Sequence, residues 1–229
     1  MPAQLVVGRQ LIPSYSIVED AAEKAHYAAQ LCALCAVGGR QQFPGSNPVG
    51  LTRPDLSGLG RRRYVIALKS DGVRHMLFLT VRPGSTYDDP APVALMVDRA
   101  LNMHEVETCA PEDYFLKGTV LDGELVARQP NEEKLLYLVF DCLVVKGEQL
   151  GRRAFRERIS MVQRCVLEQS AATEDIEDIV EETDKVAMLA HAPNISMRVK
   201  TFVERSHAPW LWSDRSMCDH RVDGLILQD

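Results

Sequence analysis

The sequence of 229 residues is long enough to bury a substantial hydrophobic core, and its 46% apolar and 25% charged residues are typical of a globular protein. A formal net charge of −6 excludes an overall positive field that would attract nucleic acid. Such a contact would need a local basic cluster, and the candidates are residues 61–63 and Arg152, Arg153, Arg156 and Arg158, for which a solvated surface is the ordinary explanation.

The first predicted element is a helix over residues 17–37. Ser16 and Glu19 have the spacing of a capping box, and a Gly-Gly pair follows the helix as a stop signal. Residues 43–59 are rich in proline and glycine, which favour ordered turns over helix. A loop is therefore predicted between the first helix and the strands that follow.

Short β-like runs come next. Residues 64–69 and 75–81 are predicted to form two strands joined by a tight turn, in which Gly72 supplies backbone freedom. Residues 135–145 are apolar on both faces, which predicts a central strand. The other predicted elements are strands over residues 93–98, 119–128, 197–203 and 222–227 and helices over residues 155–168 and 174–188, the second with an acidic face. This order predicts an α+β fold of largely antiparallel sheets flanked by helices.

The cysteines do not have the spacing of a secreted disulfide framework, which favours a reducing compartment. Cys32 and Cys35 form a Cys-x-x-Cys pair inside an apolar stretch, and Cys218 with His220 is a weak match to a zinc site. Buried, unpaired cysteines are the favoured interpretation. The longest apolar run is interrupted by Asp141 and is too short to span a bilayer, so we expect a soluble intracellular protein.

The most informative segment is Lys69-Ser-Asp-Gly-Val-Arg74. A lysine at the end of a strand, before a glycine turn, places its amine at the rim of a sheet. Lysine is a nucleophile only when it is neutral, and burial, a bound metal ion or a nearby cation such as Arg74 can lower its pKa. Taken alone, the segment is also compatible with a surface hairpin that carries two cations.

Further polar segments follow in an order that suits a nucleotide site. They supply cations for phosphates, carboxylates for ribose and metal, and a flat ring for a base. In chain order they are Asp98-Arg99, Asp122-Gly-Glu-Leu-Val126, Leu138-Val-Phe-Asp141, Arg198-Val-Lys-Thr-Phe202 and Val222-Asp-Gly-Leu-Ile226. Arg198 and Lys200 are expected to face one way, because alternate strand residues share a face. Singly, Phe140 would be core, Glu124 a surface acid and Lys200 a solvated charge.

Together, the series resembles the eukaryotic and viral mRNA guanylyltransferases, members of the covalent nucleotidyltransferase superfamily that includes DNA and RNA ligases. The first segment would fit the whole superfamily. The upstream Phe43-Pro-Gly-Ser-Asn-Pro-Val49 and the segments at residues 98–99, 198–202 and 222–226 are similar to the capping branch in particular. The resemblance covers residues 43–228 and implies a ligase-like or capping-enzyme-like nucleotidyltransferase fold.

The resemblance implies a role in the transfer chemistry for the first part of the series. Lys69 would form the phosphoamide with GMP, and Asp71 and Gly72 would shape the turn after it. Arg74 and Arg99 would contact the ribose and the phosphates of GTP.

Roles in binding are implied for the later segments. Glu124 would hold the ribose hydroxyls or the shell of a metal ion, and Phe140 would stack on guanine. Lys200 would reach the base or a phosphate. Asp223 would help to bind a divalent cation, Mg²⁺ or Mn²⁺, with Glu124 as the second candidate ligand.

The resemblance also implies a domain organisation. Residues 1–42 would be an N-terminal helical region of the same domain, and residues 43–229 the GTP-binding nucleotidyltransferase domain. Family members continue with a lysine pair on a strand and with a C-terminal OB-fold domain, which this sequence lacks. The domain is therefore expected to be incomplete at its C-terminus, and its guanylylation to suffer more than its nucleotide binding, because OB-fold closure assembles the site.

The implied function is transfer of GMP from GTP, through a lysyl-GMP intermediate, to the 5′-diphosphate end of RNA in mRNA capping. The implied partners are GTP, 5′-diphosphate RNA and the C-terminal domain of RNA polymerase II, with no membrane. The implied location is the nucleus, or the cytoplasm for a viral protein. Two alternatives stay open: an ATP-dependent polynucleotide ligase domain, and a truncated module that binds nucleotide without catalysis.

Overall fold

A computed structural model describes residues 5–7, 10–12, 16–38, 42–59, 63–86, 88–107, 110–128, 135–170 and 195–229. In this part of the chain the strands are β1 (Leu5–Val7), β2 (Gln10–Ile12), β3 (Val65–Ser70), β4 (Val73–Val81), β5 (Pro92–Val97), β6 (Met103–Val106), β7 (Thr119–Ala127), β8 (Leu135–Val145), β9 (Glu148–Gln149), β10 (Ile195–Val199), β11 (Val203–Glu204) and β12 (Val222–Gln228). The α-helices are α1 (Ala21–Leu34), α2 (Arg53–Leu56), α3 (Glu112–Leu116), α4 (Phe155–Ser170) and α5 (Ala208–Ser213), and 3₁₀ turns cover Arg205–His207 and Asp214–Met217.

A seven-stranded sheet forms the larger part of the fold. Its strand order is β10-β8-β7-β4-β5-β6, with β9 paired to β8. Among the described pairs only β10 and β8 run parallel. The predicted α+β fold with largely antiparallel sheets is therefore confirmed, and β8 is a central strand, as its apolar pattern predicts.

A separate three-stranded sheet carries the lysine segment. Its order is β11-β3-β12, and both pairs are antiparallel. The predicted hairpin is wrong, because β3 pairs with β12 whereas β4 pairs with β5 and β7. Asp71 and Gly72 carry the chain from one sheet to the other, so Lys69 lies at a junction between sheets.

Gly72 is required for a different reason from the predicted one. A Cβ at this position would lie 2.5 Å from the carbonyl oxygen of Leu125 and 2.8 Å from Cγ of Glu124. The glycine therefore allows the chain to pass close to β7, and it does not have the positive φ of a left-handed turn.

Each face of the larger sheet has its own hydrophobic cluster. One cluster, under α3 and α4, includes Leu77, Phe115, Tyr137, Val139 and Phe155. The other, under α1, includes Tyr27, Leu31, Met76, Phe78 and Leu95. Burial of each large apolar side chain contributes roughly 1.5–3 kcal/mol, so these clusters hold the sheet that carries most of the site.

The first helix is shorter than predicted. Its N-cap is Asp20, whose side chain accepts a hydrogen bond from the N–H of Glu23 at 2.7 Å. Ser16 instead accepts a backbone hydrogen bond from Glu105, so the residues before the helix extend the edge of the sheet at β6. The short strand β6 and the helices α3 and α5 were not predicted, α2 interrupts the predicted loop, and the predicted helix over residues 174–188 lies outside the described residues.

Candidate active site

Lys69 lies one residue before the end of β3, and its amine contacts a carboxylate from the neighbouring strand. Lys69 Nζ donates hydrogen bonds to both carboxylate oxygens of Asp223, each at 2.7 Å. The register of β3 and β12 shifts between Val222 and Gly224, so Asp223 lies in a β-bulge opposite Lys69. Both side chains are 49% exposed, which leaves the amine accessible at the rim of the sheet.

The surroundings of Lys69 raise its pKa. The main cause is the hydrogen bond to Asp223, which stabilises the ammonium form. Burial acts in the opposite direction, and the negative charges of Asp223, Glu124 and Asp71 make smaller contributions that raise the pKa. The prediction that nearby groups hold this amine uncharged is therefore wrong for this arrangement. Arg74, the cation expected to lower the pKa, is instead paired with Asp122.

A row of charged side chains crosses the larger sheet. The register pairs Arg74 with Glu124, Glu124 with Leu138, and Leu138 with Arg198. Directly paired residues project from the same face of a sheet, so the three charged side chains lie on one face. Asp122 precedes Glu124 by two residues in β7 and belongs to this face as well.

Arg74 is held in a fixed position within this row. Its Nε and Nη2 donate to the two carboxylate oxygens of Asp122 at 2.9 and 2.5 Å, and its Nη1 donates to the carbonyl of Ser46 at 2.5 Å. The guanidinium carbon also lies 5.1 Å from the ring centre of Phe43 and 5.5 Å from that of Phe140. Such a bidentate pair between two aromatic rings leaves the guanidinium little freedom.

The loop that begins at Phe43 closes over this pair. A Cβ on Gly45 would clash with Arg74 and would lie 2.9 Å from a carboxylate oxygen of Asp122, so a larger residue would displace the loop. Burial raises the pKa of Asp122, while the hydrogen bond and the charge of Arg74 lower it. The buried carboxylate depends on Arg74 to stay ionised.

Lys200 follows β10 and is buried beside Glu124. Its side chain is 5% exposed, and Nζ lies 3.7 Å from Glu124 Oε2 and 5.9 Å from the ring centre of Phe140. Among the described residues Nζ has no hydrogen-bond partner. Burial lowers the pKa of Lys200, although Glu124 opposes this effect. Burial raises the pKa of Glu124, and the charges of Lys200 and Lys69 act against this effect, so the two lysines flank one carboxylate.

The other predicted site residues lie at the margin of this group. Asp71 is exposed, and its backbone N–H donates to the carbonyl of Arg221 at 2.9 Å. Arg99 is exposed in the turn after β5, and its charge makes a small contribution that lowers the pKa of Asp122. The structure thus brings together Lys69, Arg74, Glu124, Phe140, Lys200 and Asp223 and leaves Arg99 at the edge.

Comparison with known families identifies this arrangement. The profile of the family described as "mRNA capping enzyme, catalytic domain" matches residues 8–229. The chain belongs to the mRNA capping enzyme catalytic domain family.

Curated relatives agree with this assignment. The domain is 33% identical to an mRNA-capping enzyme subunit alpha of Schizosaccharomyces pombe over 133 residues, which cover 54% of this chain and 32% of the relative. It is 27% identical to an mRNA-capping enzyme of Danio rerio over 194 residues, covering 82% and 30% of the two chains. It is 23% identical to an mRNA-capping enzyme of Caenorhabditis elegans over 232 residues, which cover 95% of this chain and 33% of the relative. The chain therefore spans about a third of the length of these relatives.

The carboxylates of this capping-enzyme domain fit a hard divalent cation. Mg²⁺ prefers oxygen ligands and typically binds through one or two carboxylates together with substrate phosphates. Asp223 and Glu124 supply two such carboxylates next to Lys69. The described residues contain no group of three or more His, Cys, Asp or Glu side chains that could hold a metal ion, so phosphates would have to complete the shell.

Sequence reasoning missed two groups of polar side chains in or beside the candidate site. Asp122 stands in the Asp-Gly-Glu segment, where the predicted role falls on Glu124 alone. The period of two in a strand would have placed both carboxylates on one face and so indicated Asp122 as a partner for a cation. In the second group, Asp219 and His220 are neighbours in the sequence, but Ser70 meets them only through tertiary structure, so sequence alone does not indicate the group.

The second predicted basic cluster is largely neutralised within this domain. Arg153 pairs with Glu148, Arg156 with Glu204 and Arg158 with the buried Asp141. This outcome supports the ordinary explanation, a solvated surface, for Arg153 and Arg156, whereas Arg158 lies in a largely buried ion pair. Most of the other cluster, residues 61–62, lies outside the described residues.

The described cysteines are free, as predicted. Cys32 and Cys142 are buried, whereas Cys35 and Cys218 are partly exposed. The remaining two cysteines lie where side chains are not described. None of the helices in the described part of the chain is long and apolar enough to cross a membrane.

Proposed function

We propose that this domain transfers GMP from GTP to the 5′-diphosphate end of RNA through a lysyl-GMP intermediate on Lys69. Membership of the capping-enzyme catalytic family supports this function. The observation that carries the proposal is the placement of Lys69 Nζ, an accessible amine 2.7 Å from Asp223 and close enough to Glu124 and Lys200 to change their pKa values.

In the first step, Lys69 Nζ attacks the α-phosphorus of GTP. The N–P bond forms, the bond to the oxygen that bridges the α- and β-phosphorus breaks, and pyrophosphate leaves with the bonding electrons. One proton leaves the ammonium before the attack and a second leaves as the N–P bond forms. Asp223, at 2.7 Å, is the nearest acceptor, and it has to release Lys69 before the amine can react.

The fixed side chains of the larger sheet would hold the nucleotide. Arg74, Arg99 and Lys200 offer positive charge to the phosphates and ribose, and the amine of Lys200 has unused donors among the described residues. Phe140 offers a ring for stacking on guanine, and Glu124 an acceptor for ribose hydroxyls. A divalent cation, Mg²⁺ or Mn²⁺, held by Asp223 and Glu124 would neutralise charge on the phosphates.

In the second step, a terminal oxygen of the RNA 5′-diphosphate attacks the phosphorus of lysyl-GMP. The N–P bond breaks, the amine takes up a proton, and a 5′–5′ triphosphate cap forms. We further propose a nuclear location and the C-terminal domain of RNA polymerase II as another partner, as the resemblance of the sequence to the eukaryotic guanylyltransferases implies.

Incubation with GTP labelled at the α-phosphate, in the presence of Mg²⁺ or Mn²⁺, tests the proposal. We expect a covalent label that survives a denaturing gel and is lost in Lys69→Ala, because Lys69 supplies the attacking nitrogen in the proposed first step. Lys117→Ala is the matched control, since this lysine is exposed at the end of α3 and should leave labelling unchanged.

Two results would contradict the proposal. Stronger labelling by ATP than by GTP would indicate a polynucleotide ligase. Calorimetric binding of GTP without any covalent adduct would indicate a nucleotide-binding module that lacks catalysis.

A further inference from the structure

A chain of three polar side chains lies behind the nucleophile. Ser70 Oγ is 3.0 Å from His220 Nε2, and His220 Nδ1 is 3.0 Å from Asp219 Oδ1. A carboxylate only accepts hydrogen bonds, so His220 Nδ1 donates to Asp219, and the other ring nitrogen, Nε2, is the hydrogen-bond partner of the Ser70 hydroxyl. The hydrogen-bonding order Asp-His-Ser is thus complete next to Lys69.

This chain of side chains is suited to holding structure and unsuited to attacking a substrate. Ser70 is 1% exposed, and the side chain of His220 is 9% exposed. A nucleophilic serine needs its hydroxyl open to the substrate. Because Ser70 and Lys69 are adjacent in a strand, their side chains also project from opposite faces.

Asp219 ties the same group to the larger sheet. Its Oδ2 lies 3.0 Å from Arg128 Nη2, which follows β7, and 3.2 Å from Arg198 Nη2 in β10. The backbones of Arg128 and His220 also form an isolated β-bridge. Asp219 has a lowered pKa, because its hydrogen bond to His220 and the two arginines outweigh the effect of burial. The carboxylate is therefore a stable ionic link between the sheets.

Two kinds of contact fix the end of β3: the side-chain link from Ser70 through His220 to Asp219, and backbone pairing with β12. Ser70 pairs with Val222, and the N–H of Asp71 donates to the carbonyl of Arg221 at 2.9 Å. The backbone that carries Lys69 is thus tied to the sheet that carries Arg74, Glu124 and Lys200. A change in this tie would move the amine relative to the nucleotide-binding side chains.

We infer that His220 is a positioning residue that, through its hydrogen bond to Ser70, sets the position of Lys69 relative to the α-phosphate of GTP. This role rests on the proposed guanylyltransferase function. It requires no contact of His220 with the nucleotide. A displacement of about 1 Å between reacting atoms is sufficient to slow a reaction by as much as about a hundredfold, so a hydrogen bond behind the nucleophile is enough to affect the rate.

The test compares wild type with Ser70→Ala, His220→Gln and the double variant. The rate of lysyl-GMP formation at saturating GTP should fall about tenfold in each single variant, while the dissociation constant of GTP stays within about twofold, because the side chains proposed to bind nucleotide are unchanged. The double variant should be no slower than the slower single variant, since both changes break the same hydrogen bond. Ser70→Thr, which keeps the hydroxyl, should restore most of the rate.

His207→Gln is the matched control, because His207 is an exposed histidine in the 3₁₀ turn before α5. Its labelling rate should equal that of wild type. Nitrogen-15 NMR of the His220 ring provides a readout apart from activity: the Nε2 shift should change in Ser70→Ala, whereas that of His207 should not.

The outcomes separate the two proposals. Labelling of wild type with unchanged rates in Ser70→Ala and His220→Gln would overturn the positioning role alone. Additive losses in the double variant, or weaker GTP binding with an unchanged saturated rate, would overturn it as well. Failure of wild type to label, with the NMR response of His220 intact, would overturn the proposed function and with it the role of this link in catalysis.

Discussion

The two sheets hold their lysines in opposite ways. On the three-stranded sheet, Lys69 is 49% exposed and bonded to Asp223 at 2.7 Å, and this bond raises its pKa. On the larger sheet, Lys200 is 5% exposed and 3.7 Å from Glu124, and burial lowers its pKa. The proposed nucleophile is thus kept in its charged form, whereas the buried lysine has hydrogen-bonding capacity that the described residues do not use.

This difference fits separate roles for the two sheets: the larger sheet would bind the nucleotide, and the three-stranded sheet would present the reactive amine. Arg74 is held by a largely buried ion pair with Asp122 and by a hydrogen bond to the carbonyl of Ser46, which suits the binding of a nucleotide in one orientation. The pair of Lys69 and Asp223 is exposed, and water screens its attraction, so it can exchange partners at little cost. The proposed nucleophile, Lys69, therefore lies in the exposed pair, whose partners can exchange.

The largest effect should come from removing the buried ion pair of Arg74 and Asp122 on the larger sheet. Asp122→Asn leaves the guanidinium of Arg74, which is 11% exposed, without its counter-charge, and we expect a loss of about 3 kcal/mol in the free energy of unfolding. Urea unfolding at neutral pH measures this loss.

Glu148→Gln is the matched control for this prediction. It removes the partner of Arg153 in a pair whose side chains are 48% and 50% exposed, and the expected loss is at most about 1 kcal/mol. Equal losses in the two variants would show that the buried pair has no special part in stability.

The strands of the larger sheet and the pairing of the three-stranded sheet were predictable from the sequence to different degrees. The strand at Leu135–Val145 was predicted with its observed bounds, because few structures other than a buried strand accommodate an apolar run of this length between polar segments. The series of polar segments also led to the residues that the structure groups around Lys69. Local pattern is sufficient where a segment is long, apolar and central.

The partner of a strand was not predictable in the same way. The segments at Val65–Ser70 and Val73–Val81 have a turn-like connection, and sequence alone indicated a hairpin. Their actual partners are remote: β12 begins more than a hundred residues after β3 ends. The main counter-charge on Lys69 comes from that remote strand, so the largest cause of its raised pKa had no signal near Lys69 in the sequence.

A smaller effect should follow from removing the buried lysine. Lys200→Met should lower the rate of GMP labelling about a hundredfold, because one charge-assisted donor to the nucleotide is lost. Its thermal midpoint should not fall. A lysine whose pKa is lower in the folded chain than in the unfolded chain destabilises the fold at neutral pH, and methionine removes that cost.

Lys146→Met serves as the control for the buried lysine. Lys146 is 36% exposed, and its amine pairs with Asp113 at 3.0 Å, away from the row of charged side chains. Labelling should be unchanged in this variant. Unchanged labelling in Lys200→Met would instead show that the amine of Lys200 does not reach the nucleotide. The larger sheet would then have no lysine with a role in nucleotide binding to compare with Lys69.

The smallest effect concerns the exposed pair and depends on pH. Asp223→Asn removes the negative charge and one of the two oxygens that accept hydrogen bonds from Lys69, so the pKa of Lys69 should fall towards its ordinary value. A lysine with a raised pKa in the folded chain stabilises it fully below the unfolded pKa, about 10.4, and this contribution disappears as the pH rises through the folded pKa. Because both side chains are half exposed, wild type should exceed the variant by only about 0.5 kcal/mol at neutral pH, and by less in strong alkali.

NMR titration of lysine labelled at Cε, combined with urea unfolding across this pH range, measures both quantities. Asp113→Asn, which removes the partner of Lys146, should leave the pKa of Lys69 unchanged and so controls for the loss of one surface charge. If the pKa of Lys69 were the same in Asp223→Asn as in wild type, Asp223 would not be the group that keeps this amine charged. Release of Asp223 would then be no part of activating the nucleophile, and the contrast between the two sheets would reduce to a difference in burial.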